Sequence, residues 1–148
     1  MSIDDTAADG TPTSDLHYWQ NLVREHPQAG NTIQYNADAP FEEYRKHNTI
    51  LHMVVMNMYS LSPEMMQDVV SLLLQHGADP NIQNDDGETP LHVVCQTTMR
   101  DPSIAKLLLA QGADSSIKTN KGKLPIDMLG SDEDRYSREI RLLLQQSN

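Results

Sequence analysis

Six histidines, one cysteine and a surplus of carboxylates are the groups in this 148-residue chain that could bind a metal or move a proton. His52 and His92 stand out, because each closes a similar short stretch, Thr49-Ile50-Leu51-His52 and Thr89-Pro90-Leu91-His92, and the single cysteine, Cys95, lies three residues beyond the second. A zinc site needs several such ligands converging, as in a His-Glu-x-x-His helix that presents two imidazoles on one face. That motif is absent, and His17, His26, His47 and His76 form no pair at i, i+4. Nor is there a Gly-rich phosphate loop, a Gly-x-Ser-x-Gly nucleophile elbow or a kinase-like set. One cysteine excludes an internal disulfide and a multi-cysteine zinc site, and it fits a reducing compartment. The expectation is therefore no catalytic residue, no cofactor and no metal ligand. An enzyme would have to draw its site from residues 14–46, which carry no repeated pattern.

The elements that must hold these residues follow from composition and spacing. With 38% hydrophobic and 22% charged residues the chain has the make-up of a globular domain. At this length it can bury roughly two thirds of its unfolded surface. No apolar run approaches the roughly 18 residues a membrane span needs. Asp4, Asp5 and Asp9 stand where a secretory signal would place basic and apolar residues. These features predict an intracellular, cytoplasmic protein with no membrane segment. A net charge of −10 argues against a polyphosphate partner, whose binding depends on clustered Lys and Arg, and favours a protein partner. The oligomeric state is left open.

Along the chain, Met1 to Thr13 is polar and acidic with little to bury, and reads as a flexible tail. Residues 14–46 read as an N-terminal helical cap. In it Ser14 caps a helix carrying Leu16, Trp19, Leu22 and Val23 on one face, and Phe41 and Tyr44 sit on a short helical turn after Pro40. From residue 47 the chain repeats. Leu72-Leu73-Leu74, Leu107-Leu108-Leu109 and Leu142-Leu143-Leu144 recur at an interval of 35 residues. His76-Gly77-Ala78-Asp79-Pro80-Asn81 and Gln111-Gly112-Ala113-Asp114-Ser115-Ser116 follow the first two at matched distances. Three units result, 47–83, 84–118 and 119–148. Extra residues fall between the two helices of each unit, the largest insertion spanning Met58 to Pro63. Ser62-Pro63, Asp101-Pro102 and Ser131-Asp132-Glu133-Asp134 supply helix-starting caps.

The stretch Gly87-Glu88-Thr89-Pro90-Leu91-His92-Val93-Val94-Cys95 resembles the Gly-x-Thr-Pro-Leu-His-x-Ala-Ala signature of the ankyrin repeat, a module of a β-turn and two helices of about 33 residues. The turns at Gly77 and Gly112 resemble the family's Gly-Ala-Asp-x-Asn. The resemblance implies an all-α solenoid, a three-repeat ankyrin stack with β-hairpin finger loops, with residues 14–46 covering its first repeat. It also implies that His52 and His92 are structural, each bonding the backbone of a neighbouring finger. His47 stands where the finger usually has Gly, and the adjacent Asn48 is the residue expected to tolerate a left-handed conformation. Leu124 and Asp127 replace the Thr and His of the third repeat.

By the same resemblance the function is protein binding through the finger tips and concave inner-helix face, as adaptor, inhibitor or targeting subunit. An effector of an intracellular pathogen acting on a host protein is the alternative. The implied contact positions are Arg45, Lys46 and Asn48 in the first finger; Asp85, Asp86 and Glu88 in the second; and Asn120, Lys121 and Lys123 in the third. Met56, Asn57, Gln96 and Thr97 belong to the concave face. The tips thus run basic, acidic, basic, which suits either a partner of alternating charge or attraction between adjacent tips.

Overall fold

The computed structural model describes residues 16–34, 38, 46–57, 59, 61–96, 102–129 and 135–146. The tail before Ser14, the cap at Ser14, the turn carrying Phe41 and Tyr44, Met58 within the insertion, and the caps at Asp101 and Ser131 to Asp134 lie outside these residues. So do the contact positions Arg45 and Thr97.

Helix α1 (Leu16–Glu25) is followed by a 3-10 turn (Ala29–Asn31) and a two-residue strand β1 (Ile33–Gln34). Strand β2 (Asn48–Thr49) leads directly into α2 (Ile50–Val55). The pairs α2 with α3 (Pro63–Gln75) and α4 (Pro90–Gln96) with α5 (Pro102–Ala110) form successive units. A 3-10 segment (Pro125–Leu129) with α6 (Arg135–Gln146) forms the last. The outer helices α1, α3, α5 and α6 pack in that order, and the shorter α2, α4 and 3-10 segment form a parallel inner row. Between the rows Trp19, Leu51, Leu73, Leu91, Ile104, Leu108, Leu129 and Ile140 are fully buried. Val54, Val55, Val94 and Cys95 point into this core as well.

Local chemistry fixes the ends. Ser62 accepts the Met65 amide at 3.2 Å and Pro63 occupies the first helical position of α3, where its missing N–H costs nothing. After α3 and α5 the chain turns through Gly77 (φ 94°) and Gly112 (φ 97°), left-handed positions where a Cβ is unfavourable. In the last unit Asp127 accepts the Leu124 amide at 2.9 Å, closing the segment start in place of histidine, and the inner element tightens to a 3-10 helix.

The fingers are tighter than the expected hairpins. In the second, the Asn84 and Gly87 amides donate to Glu88 and Asn84 carbonyls; in the third, Thr119 and Gly122 donate to Lys123 and Thr119. Each is a closed turn rather than a ladder of paired strands. Among the described residues, regular strand pairing joins β1 to β2 antiparallel, Ile33 opposite Thr49 and Gln34 opposite Asn48.

The N-terminal helix is placed as the outer helix of a further, partial repeat. Asn81 bridges neighbouring turns, its amide donating to the Gly112 carbonyl (3.0 Å) while its oxygen accepts the Asp114 amide (2.8 Å). Asn31 makes the same two bonds one step earlier, to the Gly77 carbonyl (3.0 Å) and from the Asp79 amide (2.6 Å). Helix α1 packs on α3 as α3 packs on α5. Gly30 is buried there so closely that a Cβ would fall 2.5 Å from that of Ala78. Trp19 completes the junction, edge-on to Tyr18 and Tyr59 with centroids 5.5 and 5.2 Å away.

Candidate functional site: the finger edge and inner face

The two candidate histidines are locked between repeats. His52 Nδ1 accepts the Thr49 amide at 3.1 Å and lies 2.8 Å from the Thr49 hydroxyl, while Nε2 donates to the Glu88 carbonyl of the next finger at 2.8 Å. His92 repeats this with Thr89 (3.1 and 2.9 Å) and the Lys123 carbonyl (3.0 Å). An Nδ1 that accepts an amide N–H carries no proton, so each ring is the neutral Nε2–H tautomer. Burial pushes both pKa values below the ordinary 6.5, against the upward pull of the carbonyls and of Glu88. Both nitrogens of each ring are therefore committed, Nδ1 to the threonine of its own hinge and Nε2 to the next finger. Among the described residues no group of three or more His, Cys, Asp or Glu is arranged to hold a metal ion.

The tips form a laddered edge. The Asp85 amide donates to the Lys46 carbonyl (2.8 Å) and the Asn120 amide to the Asp86 carbonyl (3.0 Å), the same bond made twice along the row. Asn120 adds a side-chain bond to the Asp85 carbonyl (2.7 Å), and Gln83 reaches the Lys118 carbonyl (3.1 Å). Side chains of the first two fingers meet: Lys46 forms an ion pair with Asp86 at 3.1 Å, and His47 Nδ1 lies 2.7 Å from the Asp85 carboxylate. His47, in the place where the finger usually has Gly, takes the left-handed conformation itself (φ 55°), whereas the more tolerant Asn48 lies in extended β2.

Two expected contact positions turn inward. Asn48 is fully buried and its side-chain oxygen accepts from the Asn84 amide nitrogen at 2.8 Å; the same nitrogen lies 3.1 Å from Glu88, which is also buried. Asn84 in turn accepts the Asp86 and Glu88 amides, both at 3.0 Å. This polar knot holds the second finger beneath its tip, and it removes Asn48 and Glu88 from the surface a partner could touch. Lys46, at intermediate burial, and the exposed Asp85, Asp86, Asn120, Lys121 and Lys123 remain on the edge.

On the inner row, Gln96 is exposed at the end of α4, and Met56 is half-buried at the end of α2. Asn57 takes a left-handed conformation (φ 61°) and its side chain accepts the Leu61 amide at 2.8 Å, closing the loop toward α3. Met53, three residues before Met56, is wholly core. On the outer-helix side an open groove of about 470 Å³ runs between α3 and α5, lined by Gln67, Asp68, Ser71, Ser103, Lys106 and Leu107 among others. Among the described residues no helix is long and apolar enough to cross a membrane.

Sequence spacing missed the N-terminal partial repeat, and of the finger-to-finger pairs it offered the attraction between adjacent tips but not the individual partners. The first left a signal: nine residues separate Leu22 from Asn31, as they separate Leu72 from Asn81, with His26 and His76 at matching places between.

A helical solenoid whose units are joined by turn-tipped fingers and interlocking Thr-His hinges defines the class. Residues 64–109 match the family model described as ankyrin repeats (many copies). The chain is 38% identical over 64 residues to an ankyrin repeat protein of Rickettsia felis, covering 42% of this chain and 26% of that relative. It is 42% identical over 55 residues to an ankyrin repeat protein of Fowlpox virus, covering 37% of this chain and 6% of the relative. Residues 64–109 are thus similar to ankyrin repeats, and the two relatives are ankyrin repeat proteins to which parts of this chain are similar. Such repeats are, as a rule, protein-interaction modules. The chain spans about a quarter or less of the length of these relatives.

Proposed function

We propose that this chain binds a partner protein through the finger edge, using Lys46, Asp85, Asp86, Asn120, Lys121 and Lys123, together with Met56, Asn57 and Gln96 of the inner row. The observation that supports this reading most is the laddered edge. Charged side chains of known sign stand on turns that backbone bonds, Asn120 and the hinge histidines hold in fixed register. A preorganised surface loses little entropy on binding, which leaves more of the contact energy as affinity. Its roles as adaptor, inhibitor or targeting subunit share this surface.

The experiment is affinity capture with the wild type, with Asp85→Lys/Asp86→Lys and with Met56→Ala, each checked for an unchanged thermal melt. Loss of a specific protein from the charge-reversed variant is expected; retention of the wild type's proteins by both variants would show that the surface is wrongly placed. A second reading, an effector acting on a host protein, draws on the sources of the relatives, a Rickettsia and a poxvirus. It predicts that the captured partner comes from a host-cell lysate and not from the lysate of the source organism.

A further inference from the structure

Charge is used unevenly along the finger row. The first two fingers are joined side chain to side chain, Lys46 with Asp86 as an ion pair and the His47 imidazole with the Asp85 carboxylate. The third finger is tied to the second by backbone and neutral groups: the Asn120 amide and side chain, Gln83 on the Lys118 carbonyl, and His92 on the Lys123 carbonyl. Its lysine side chains take no part in this. Lys118, Lys121 and Lys123 are all exposed, and no acidic side chain among the described residues pairs with them. They are three of the five lysines in the sequence, and no Asp or Glu falls between Asp114 and Asp127. Of those two flanking carboxylates, Asp114 is engaged with Ser116 at the far turn and Asp127 with the Leu124 amide. A rigid cationic turn thus projects from a chain of net charge −10.

Resting on the finger-edge reading, we infer that the third finger docks an acidic, extended segment of a partner protein, with Lys118, Lys121 and Lys123 as its cationic contacts. A segment of about four residues, at roughly 3.3 Å each, spans a single turn of this size. Polarity along the row follows from the neighbouring finger: Asp85 and Asp86 repel a second acidic cluster, so the partner's next residues are neutral or basic. The same carboxylates oppose a nucleic acid, whose unbroken line of phosphates would have to pass them.

The test uses the full chain and a fluorescein-labelled peptide of about ten residues, about four of them Asp or Glu followed by neutral residues, long enough to cross one finger and reach the next, read by anisotropy. The Asn/Gln counterpart and a thymidine oligonucleotide serve as the other probes. The wild type is expected to bind the acidic peptide and not its amide counterpart, and to lose affinity when salt rises from about 0.05 M to about 0.5 M, as the screening length shrinks. Lys118→Gln/Lys121→Gln/Lys123→Gln is expected to bind about tenfold or more weakly, since three exposed charge contacts act together. Lys106→Gln, on the outer row, is expected to bind as the wild type does. No binding by the wild type, equal binding by the triple variant with its melt unchanged, or tighter binding of the oligonucleotide would overturn the inference. If captured partners depend on Asp85 and Asp86 but not on the three lysines, the inference fails while the finger edge stands. If they depend on neither, both fail.

Discussion

Replacing the hinge histidines by alanine should destabilise the stack unequally. His52 sits inside it, with its Nε2 bond to the Glu88 carbonyl wholly buried. His52→Ala leaves the Thr49 amide without a partner, at about 1–3 kcal/mol, takes one of two donors from that carbonyl, which keeps the Asn84 amide, and leaves a cavity the size of the ring. The expected loss is about 4 kcal/mol, a large share of the roughly 5–15 kcal/mol that holds a domain together. His92 makes the same bonds, but its carbonyl acceptor, on Lys123, lies at the partly exposed last finger and can be rehydrated once the ring is gone. His92→Ala should therefore cost about 2–3 kcal/mol, mainly through the buried Thr89 amide. Urea unfolding measures both, with the emission of the single tryptophan, Trp19, as one probe and far-UV circular dichroism as the other. Trp19 is fully buried in the first outer junction, so its exposure reports loss of the stack. A loss below about 1 kcal/mol for His52→Ala, or an equal or larger one for His92→Ala, would refute the hinge account.

Three further outcomes follow from the same geometry. Both hinge imidazoles are held neutral with pKa values below 6.5, so the unfolded chain binds more protons; stability is full above that pH and falls as pH drops through 6.5 toward the folded values. Urea midpoints at a series of pH values should show this fall, and His92→Ala should make it shallower; an unchanged slope would contradict it. Gly87 and Gly122 share left-handed conformations (φ 78° and 77°), but a Cβ on Gly87 would lie 2.6 Å from the Asn120 backbone nitrogen, whereas Gly122 has nothing within 4 Å. Gly122→Ala should cost about 1 kcal/mol and Gly87→Ala at least about twice that, compared by thermal melts. Gly30→Ala places its Cβ against Ala78 and should loosen α1, seen as a red shift of Trp19 emission while α3 to α6 remain helical; an unshifted spectrum would show that the close approach is not needed.

The fold was legible where local chemistry and the repeat agree. The Thr-x-x-His stretches, Ser62-Pro63 and the glycines after the leucine triplets each have one strong local solution, and the spacing of 35 orders them into a stack. The N-terminal repeat was harder to see because Pro27 and Gly30 stand where the later copy has Gly77 and Pro80, and because Thr49 lies 18 positions after Asn31, whereas Thr89 lies eight after Asn81. The bonds of Asn31 to Gly77 and Asp79 make the equivalence plain. At the candidate site, position in the repeat located the edge, yet it could not tell exposed from buried within a finger. Asn48 and Glu88 occupy contact positions by register, but Asn84 offers them hydrogen bonds beneath the tip, and that cross-finger pairing depends on a residue 36 positions away from Asn48. Likewise Lys46 and His47 meet Asp86 and Asp85 only once the fingers are side by side.

Hydrogen exchange on the chain alone and bound to its captured protein partner tests the central claim most directly. Slowed exchange is expected in the second and third fingers, at 84–88 and 118–123, and around Gln96, with α3 and α5 unchanged at the groove that carries Asp68 and Lys106. Protection confined to that outer groove, with the fingers exchanging as in the free chain, would contradict the account.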